Sequence, residues 1–192
     1  MSPTTRRMLL DKKRLDITLN RLCHQLLENH DDFSDTVIIG LQPRGVFLSQ
    51  RIGDKLRVLL GKQLRIGELD VTFYRDDFRR REIVAPCATR MDFTVEGKRV
   101  VLIDDVLFTG RTIRAGMDAL IDFGRPQKVE LLVLVDRRYS RHLPIEPDYI
   151  GIQVDTITTE KVKVQWEDTE AEEGIWLMDS SNMNEQTNRL NP

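Results

Sequence analysis

Two acids, Asp104 and Asp105, stand side by side directly after the apolar run Val100–Ile103, and Thr109-Gly110-Arg111-Thr112 follows, so the stretch reads VVLIDDVLFTGRT. Adjacent ionised carboxylates repel each other unless donors, a cation or sugar hydroxyls offset the charge. The vicinal hydroxyls of a ribose are a matched pair of donors. The loop behind the acids has a glycine that lets backbone come close and two threonine hydroxyls. It leads into a helix N-terminus, where free amides and the helix dipole favour a phosphate. Acids for the sugar and a loop for its phosphate together describe a ribose 5-phosphate site. Singly, each piece reads as ordinary capping or an ordinary turn; the combination carries the inference. A Walker-type loop is absent, as is GxGxxG after a strand, which disfavours NTPases and dinucleotide dehydrogenases.

Elements that position these residues can be read from periodicity. Leu15, Leu19, Leu22 and Leu26 recur at helical spacing, predicting an amphipathic helix from Asp11 to about Glu28 with Arg14, Arg21, His24, Gln25 and Glu28 off its buried stripe. TVIIG (36–40) reads as a buried strand and VFLSQRIGDKLRVLL (46–60) as a helix. LDVTFY (69–74) alternates and is expected to be a strand. The charged stretch at about 75–98 is expected to be a flexible loop or extended hairpin. RVVLI (99–103) reads as a strand, with the two acids at its carboxyl end, 112 to about 123 as a helix, and VELLVLV (129–135) as a strand. Continuous apolar strands alternating with helices indicate an α/β fold with a parallel sheet flanked by helices. Ligands of such sheets bind beyond the carboxyl ends of the strands. Further on, KVKVQW (161–166) and GIWLM (174–178) predict a C-terminal antiparallel β pair. The polar residues 180–192 are expected to be a disordered tail after a single domain over 1–179.

The chain has 192 residues, enough to bury roughly 70% of its unfolded surface without disulfide or metal staples. Its two cysteines, Cys23 and Cys87, have no metal-ligand spacing and fit a reducing compartment. No apolar run approaches the ~18 residues of a membrane span, and no leader pattern is present, so a cytoplasmic protein without a membrane partner is expected. The formal net charge of -2 argues against wholesale coating of nucleic acid while leaving room for a local basic face.

The thirteen residues from Val100 to Thr112 resemble the phosphoribosyl pyrophosphate (PRPP) motif of type I phosphoribosyltransferases. GLQPRG (40–45) is similar to the pyrophosphate-binding loop of that superfamily. LDVTFYRDDF, GRPQKVELLVLVDR, LPIEPDYIG and EKVKVQ follow in the order seen in one group, the bifunctional pyrimidine-operon regulators and uracil phosphoribosyltransferases. The resemblance implies a type I phosphoribosyltransferase fold with a small hood. It also implies the reaction of uracil with PRPP to give UMP and pyrophosphate, through an oxocarbenium-like transition state. PRPP would contact Gln42, Pro43, Arg44, Gly45, Asp104, Asp105, Val106, Leu107, Phe108, Thr109, Gly110, Arg111 and Thr112, with Asp104, Asp105 and Arg44 in catalytic roles. Mg²⁺ would accompany PRPP; it keeps several waters and takes few protein ligands, so no firm metal residue is named, though Asp104 or Asp105 could bind it through water. The charged segment 75–90 would close over the site, and FRRR (78–81) could clamp phosphates.

For the base, the resemblance points to Asp136, Arg137, Tyr149, Ile150 and Val154 in the hood. Purine relatives carry an Asp where this chain has Phe108, which cannot exchange a proton with a purine N7. A second activity is implied, as a UMP-sensing attenuator that binds the mRNA leader of pyrimidine genes, with Arg21, His24, Arg141 and Lys161 as candidate RNA contacts and Arg137 and Arg138 extending that face. A homo-oligomer, dimer or higher, is implied too. Two features depart from the pattern: Pro43 stands where Thr is expected, and DRRYSRHLP (136–144) is one residue longer. The alternatives are a PRPP- or UMP-sensing regulator with little catalysis, and a phosphoribosyltransferase for another base.

Overall fold

A computed structural model of the chain describes residues 6–76, 86–156, 160–168, 170 and 172–179. The element order is β1 (Arg6–Asp11), α1 (Lys12–His30), β2 (Thr36–Leu41), α2 (Gly45–Leu60), β3 (Ile66–Leu69), a 3₁₀ turn (Thr72–Tyr74), β4 (Arg99–Leu107), α3 (Arg111–Leu120) with a 3₁₀ turn (Ile121–Phe123), β5 (Lys128–Arg138), β6 (Tyr149–Asp155), β7 (Glu160–Gln165) and β8 (Gly174–Asp179).

Five strands form one parallel sheet in the order β3-β2-β4-β5-β6. Side chains alternate across it, as the two-residue strand period requires. Ile38, Val101, Ile103, Leu132 and Leu134 face α1 and α2, while Val37, Ile39, Val100, Leu102, Leu131 and Val133 face α3. These strands carry apolar residues on both faces because both are covered. Each buried aliphatic side chain contributes about 1.5–3 kcal/mol, so the centre of this sheet is a rigid base for whatever stands at its carboxyl edge. α1 starts where expected because the Asp11 carboxylate accepts from the Arg14 amide at 2.8 Å, a standard N-cap.

Four expectations change. The second sheet has three strands, β1-β8-β7, because Arg6–Asp11 adds to the expected pair. The strand expected at 69–74 lies earlier, at Ile66–Leu69. Asp70 ends it: its Oδ1 accepts from the Thr72 amide (3.0 Å) and hydroxyl (2.6 Å), a local turn that competes with the ladder. β4 does not stop at Ile103 but carries both acids inside it, with Asp104 paired to Val133 on β5. Within 75–98, residues 86–98 are tied down: Arg90 and Glu68 exchange backbone bonds of 2.8 and 2.9 Å, and Val95 is fully buried. The FRRR cluster at 78–81 and the tail at 180–192 lie outside the described residues. No helix among the described residues is long and apolar enough to cross a membrane.

Candidate functional site

The carboxyl edge of β4 sits where its two neighbours part. On the β2 side, pairing ends at Gly40↔Ile103; on the β5 side it continues to Leu107↔Asp136. β4 therefore protrudes past β2, and the loop from β2 to α2 folds into the space. A Cβ at Gly45 would lie 2.3 Å from the Ile103 carbonyl oxygen and 3.0 Å from the Asp104 Cα, so only glycine lets this loop lie against the acidic strand. Arg44, just before α2, reaches across: its Nε donates to Asp105 Oδ2 at 2.7 Å, and its Nη2 donates to the Val164 carbonyl of β7. Gln42 turns away toward the anchored segment, with Nε2 donating to the Ala88 carbonyl at 2.8 Å. The Gln42–Pro43 peptide is cis.

Both acids are buried. The Asp105 amide donates to Asp104 Oδ1 at 2.9 Å, while Arg44 neutralises Asp105. Burial and the neighbouring Asp105 charge push the Asp104 carboxyl well above the usual carboxylate range. Asp104 is therefore the under-compensated member of the pair, and it faces a cleft of about 630 Å³. That cleft is lined by Val106, Phe108, Thr109, Gly110, Arg111 and Thr112 as well. Gly110 caps α3 in the left-handed region at φ 88°, which a side chain would strain. Arg111 donates to Asp76, and Arg75 Nη1 lies 3.4 Å from the Thr112 hydroxyl. The floor of the cleft thus combines an acidic strand with a loop and helix N-terminus flanked by arginines, the arrangement suited to a phosphorylated sugar.

Other candidates scatter. Arg137 is buried, with its guanidinium 4.0 Å from the centre of the Phe108 ring. It donates to the Thr156 hydroxyl at 2.9 Å and the Glu160 carbonyl at 2.8 Å, and burial lowers its pKa. Asp136 and Ile150 meet in a second cavity of about 370 Å³, beside Gln153 and Tyr139. Val154 is buried in the core. Tyr149 faces away from the cleft: its hydroxyl lies 3.1 Å from His30 Nε2 and 3.4 Å from Glu130. As the first residue of β6, its alternation sends it to the α1 side, so it is core rather than a wall for the base.

Two expected RNA contacts are also engaged internally. Arg21 Nη2 donates to the carbonyls of Ile150 (3.0 Å) and Gly151 (2.5 Å). Arg141 turns inward to Asp136 and four backbone carbonyls; desolvated carbonyls attract its forked donors more strongly than solvent does. Arg21 itself stays exposed, as do His24 and Lys161. Arg75 and Asp76, from the charged segment expected to close over the site, line the cleft, and sequence reasoning missed two further lining residues, Ile113 and His142. For His142 the only signal was the anomalous length of DRRYSRHLP (136–144). Among the described residues no group of three or more His, Cys, Asp or Glu converges as a metal site. Two hard carboxylates fit Mg²⁺, which relies on few protein ligands.

Residues 5–170 match the family model described as a phosphoribosyl transferase domain. The bifunctional protein PyrR of Elusimicrobium minutum is 40% identical over 92% of this chain and 98% of its own. That of Desulfosudis oleivorans is 42% identical over 91% and 97%. Among solved structures, the hypoxanthine phosphoribosyltransferase of Trypanosoma cruzi superposes with a TM-score of 0.67 at 15% identity, covering 90% of this chain and 95% of that one. One from Staphylococcus aureus gives 0.67 at 18% identity, over 92% and 94%. At such identities the structural likeness speaks for the fold alone.

Proposed function

The chain belongs to the phosphoribosyl transferase family, among the bifunctional PyrR proteins, and we propose that it transfers the phosphoribosyl group of PRPP to uracil, giving UMP and pyrophosphate. The observation that carries the reading is the protruding end of β4: buried Asp104 shares one cleft with the Gly110-capped start of α3, and the adjacent Asp105 is held by Arg44. Asp104 and Asp105 accept the ribose hydroxyls and so hold the ring while positive charge develops at its anomeric carbon. The carboxylates near that carbon favour the charged transition state over the neutral ground state. The 109–112 loop holds the 5′-phosphate through amides and hydroxyls. Arg44 and the start of α2 offer charge and amides to the leaving pyrophosphate. Asp104 or Asp105 would hold Mg²⁺ through water, and the ion would supply positive charge to offset that of the pyrophosphate. Phe108, held under the Arg137 guanidinium, offers no proton acceptor to a purine and supports a pyrimidine base. Uracil-dependent release of pyrophosphate from PRPP by the full chain tests the reading; hydrolysis or no release in the presence of uracil would overturn it.

That the PyrR relatives are bifunctional favours a second role. We infer a UMP-dependent contact with the leader RNA of pyrimidine genes, with exposed Arg21, His24 and Lys161 as candidate contacts, and self-association into a dimer or higher oligomer. A gel-shift titration with leader and scrambled RNA, each with and without UMP, tests the RNA part. Equal binding to both would remove it.

A further inference from the structure

The 139–145 segment grips the 107–109 backbone of the phosphate loop. Arg141 Nη1 donates to the carbonyls of Leu107 (3.2 Å), Phe108 (2.5 Å) and Arg137 (3.1 Å). Its Nη2 donates to Asp136, and its Nε to the Ile145 carbonyl at 3.1 Å. The next two amides continue the pattern: those of His142 (3.0 Å) and Leu143 (3.3 Å) both donate to the Thr109 carbonyl. Three successive carbonyls, at 107, 108 and 109, are thus pulled toward one strap. In a trans peptide the C=O and the following N–H point in opposite directions. Holding these carbonyls outward turns the amides of Phe108, Thr109 and Gly110 the other way, toward the cleft they line. A run of inward amides next to a helix N-terminus is a cradle for a phosphate monoester.

We propose that Arg141, anchored by Asp136, is a positioning residue that sets the amides of Phe108–Gly110 for the substrate's 5′-phosphate. The inference rests on the proposed phosphoribosyl transfer and goes beyond it by assigning a residue that lines the second cavity to phosphate affinity. Asp136 is the counter-charge that makes the inward arginine tolerable: its carboxylate is buried and accepts from Arg141.

The test is calorimetric binding of UMP and of uridine, which lacks the phosphate, to the full-length wild type and to R141K and R141A. A cradle set by Arg141 predicts that UMP affinity falls about tenfold or more in both variants, the loss expected when a charge-assisted bond network is removed. Uridine affinity should change little, so the UMP-to-uridine ratio collapses. A merely structural role would lower the melting temperature yet leave that ratio unchanged, and this result overturns the proposal. Should R141A fail to fold, R141K decides, since a lysine keeps the charge without the fork. Wild-type chain that binds no UMP would instead overturn the reading of the site itself, and the positioning role with it.

Discussion

Burial and the Asp105 charge keep the Asp104 carboxyl well above its ordinary range, and the sign of that shift has a consequence for stability. A raised folded-state pKa means the folded chain holds this proton more tightly than the unfolded chain does. The group's contribution is therefore fully present below the usual carboxylate pKa near 4 and is lost as pH rises through the folded value. At neutral pH Asp104 works against the fold, a cost that goes with its place facing the cleft. Asp104→Asn should thus melt higher than wild type at pH 7, by about 2–4 °C for each kcal/mol gained in a domain of this size, while turnover falls about tenfold to more than a hundredfold. Calorimetric melting and steady-state assays on the same preparation check both halves. Arg141 marks what residue-level reading misses. A sequence shows its charge and its place in RRYSRH, but not whether the guanidinium faces solvent or backbone carbonyls, and the structure turns it inward.

Elements set the geometry through two close approaches. At Gly45 a methyl group would sit 2.3 Å from the Ile103 oxygen, a backbone atom that cannot swing aside. Gly45→Ala is expected to cost about 1–3 kcal/mol and to raise the KM for PRPP several-fold, because the Arg44 loop is levered off the acidic strand; denaturant melts and PRPP titrations measure each. At the amino end of the sheet, buried His30 joins α1 to Thr36 of β2 at 3.1 Å, Glu130 of β5 at 3.3 Å and Tyr149 of β6 at 3.1 Å. Burial lowers its pKa, with Glu130 opposing and Arg99 and Lys128 adding to the depression. The unfolded chain therefore takes up this proton first as pH falls below about 6.5, and the stability present above that value is lost on further acidification. His30→Gln should show a shallower fall in melting temperature between pH 8 and pH 5.5 than wild type. The central strands and all three helices were legible because their periodicity is long and unbroken. β1 was not: RRMLLD has three charged residues in six, and its partner β8 lies at the far end of the chain. β3 was misplaced because IGEL carries Gly and Glu, poor strand formers, whereas LDVTFY has the better propensity and loses to the Asp70 turn.

The whole molecule divides its work between a covered parallel sheet, rigid to its edge, and segments that lean over that edge from three places in the sequence: the Arg44 loop, the β7 strand whose Val164 carbonyl receives Arg44, and the 139–145 strap. The motif at 100–112 was legible because its residues are contiguous. The hood was not, because its members converge only through β6 and β7, and the sequence does not show that the Tyr149 hydroxyl turns toward His30 and Glu130. These parts meet where Arg137 of β5 packs over Phe108 of the 107–112 loop, and the proposed base preference rests there. The most direct test of the account is kcat/KM for uracil, hypoxanthine and guanine with PRPP and Mg²⁺, following both nucleotide formation and pyrophosphate release. The account predicts that uracil yields UMP and pyrophosphate in equal amounts and that neither purine is used at a comparable rate. Preferred conversion of either purine, or pyrophosphate release without UMP, would contradict it.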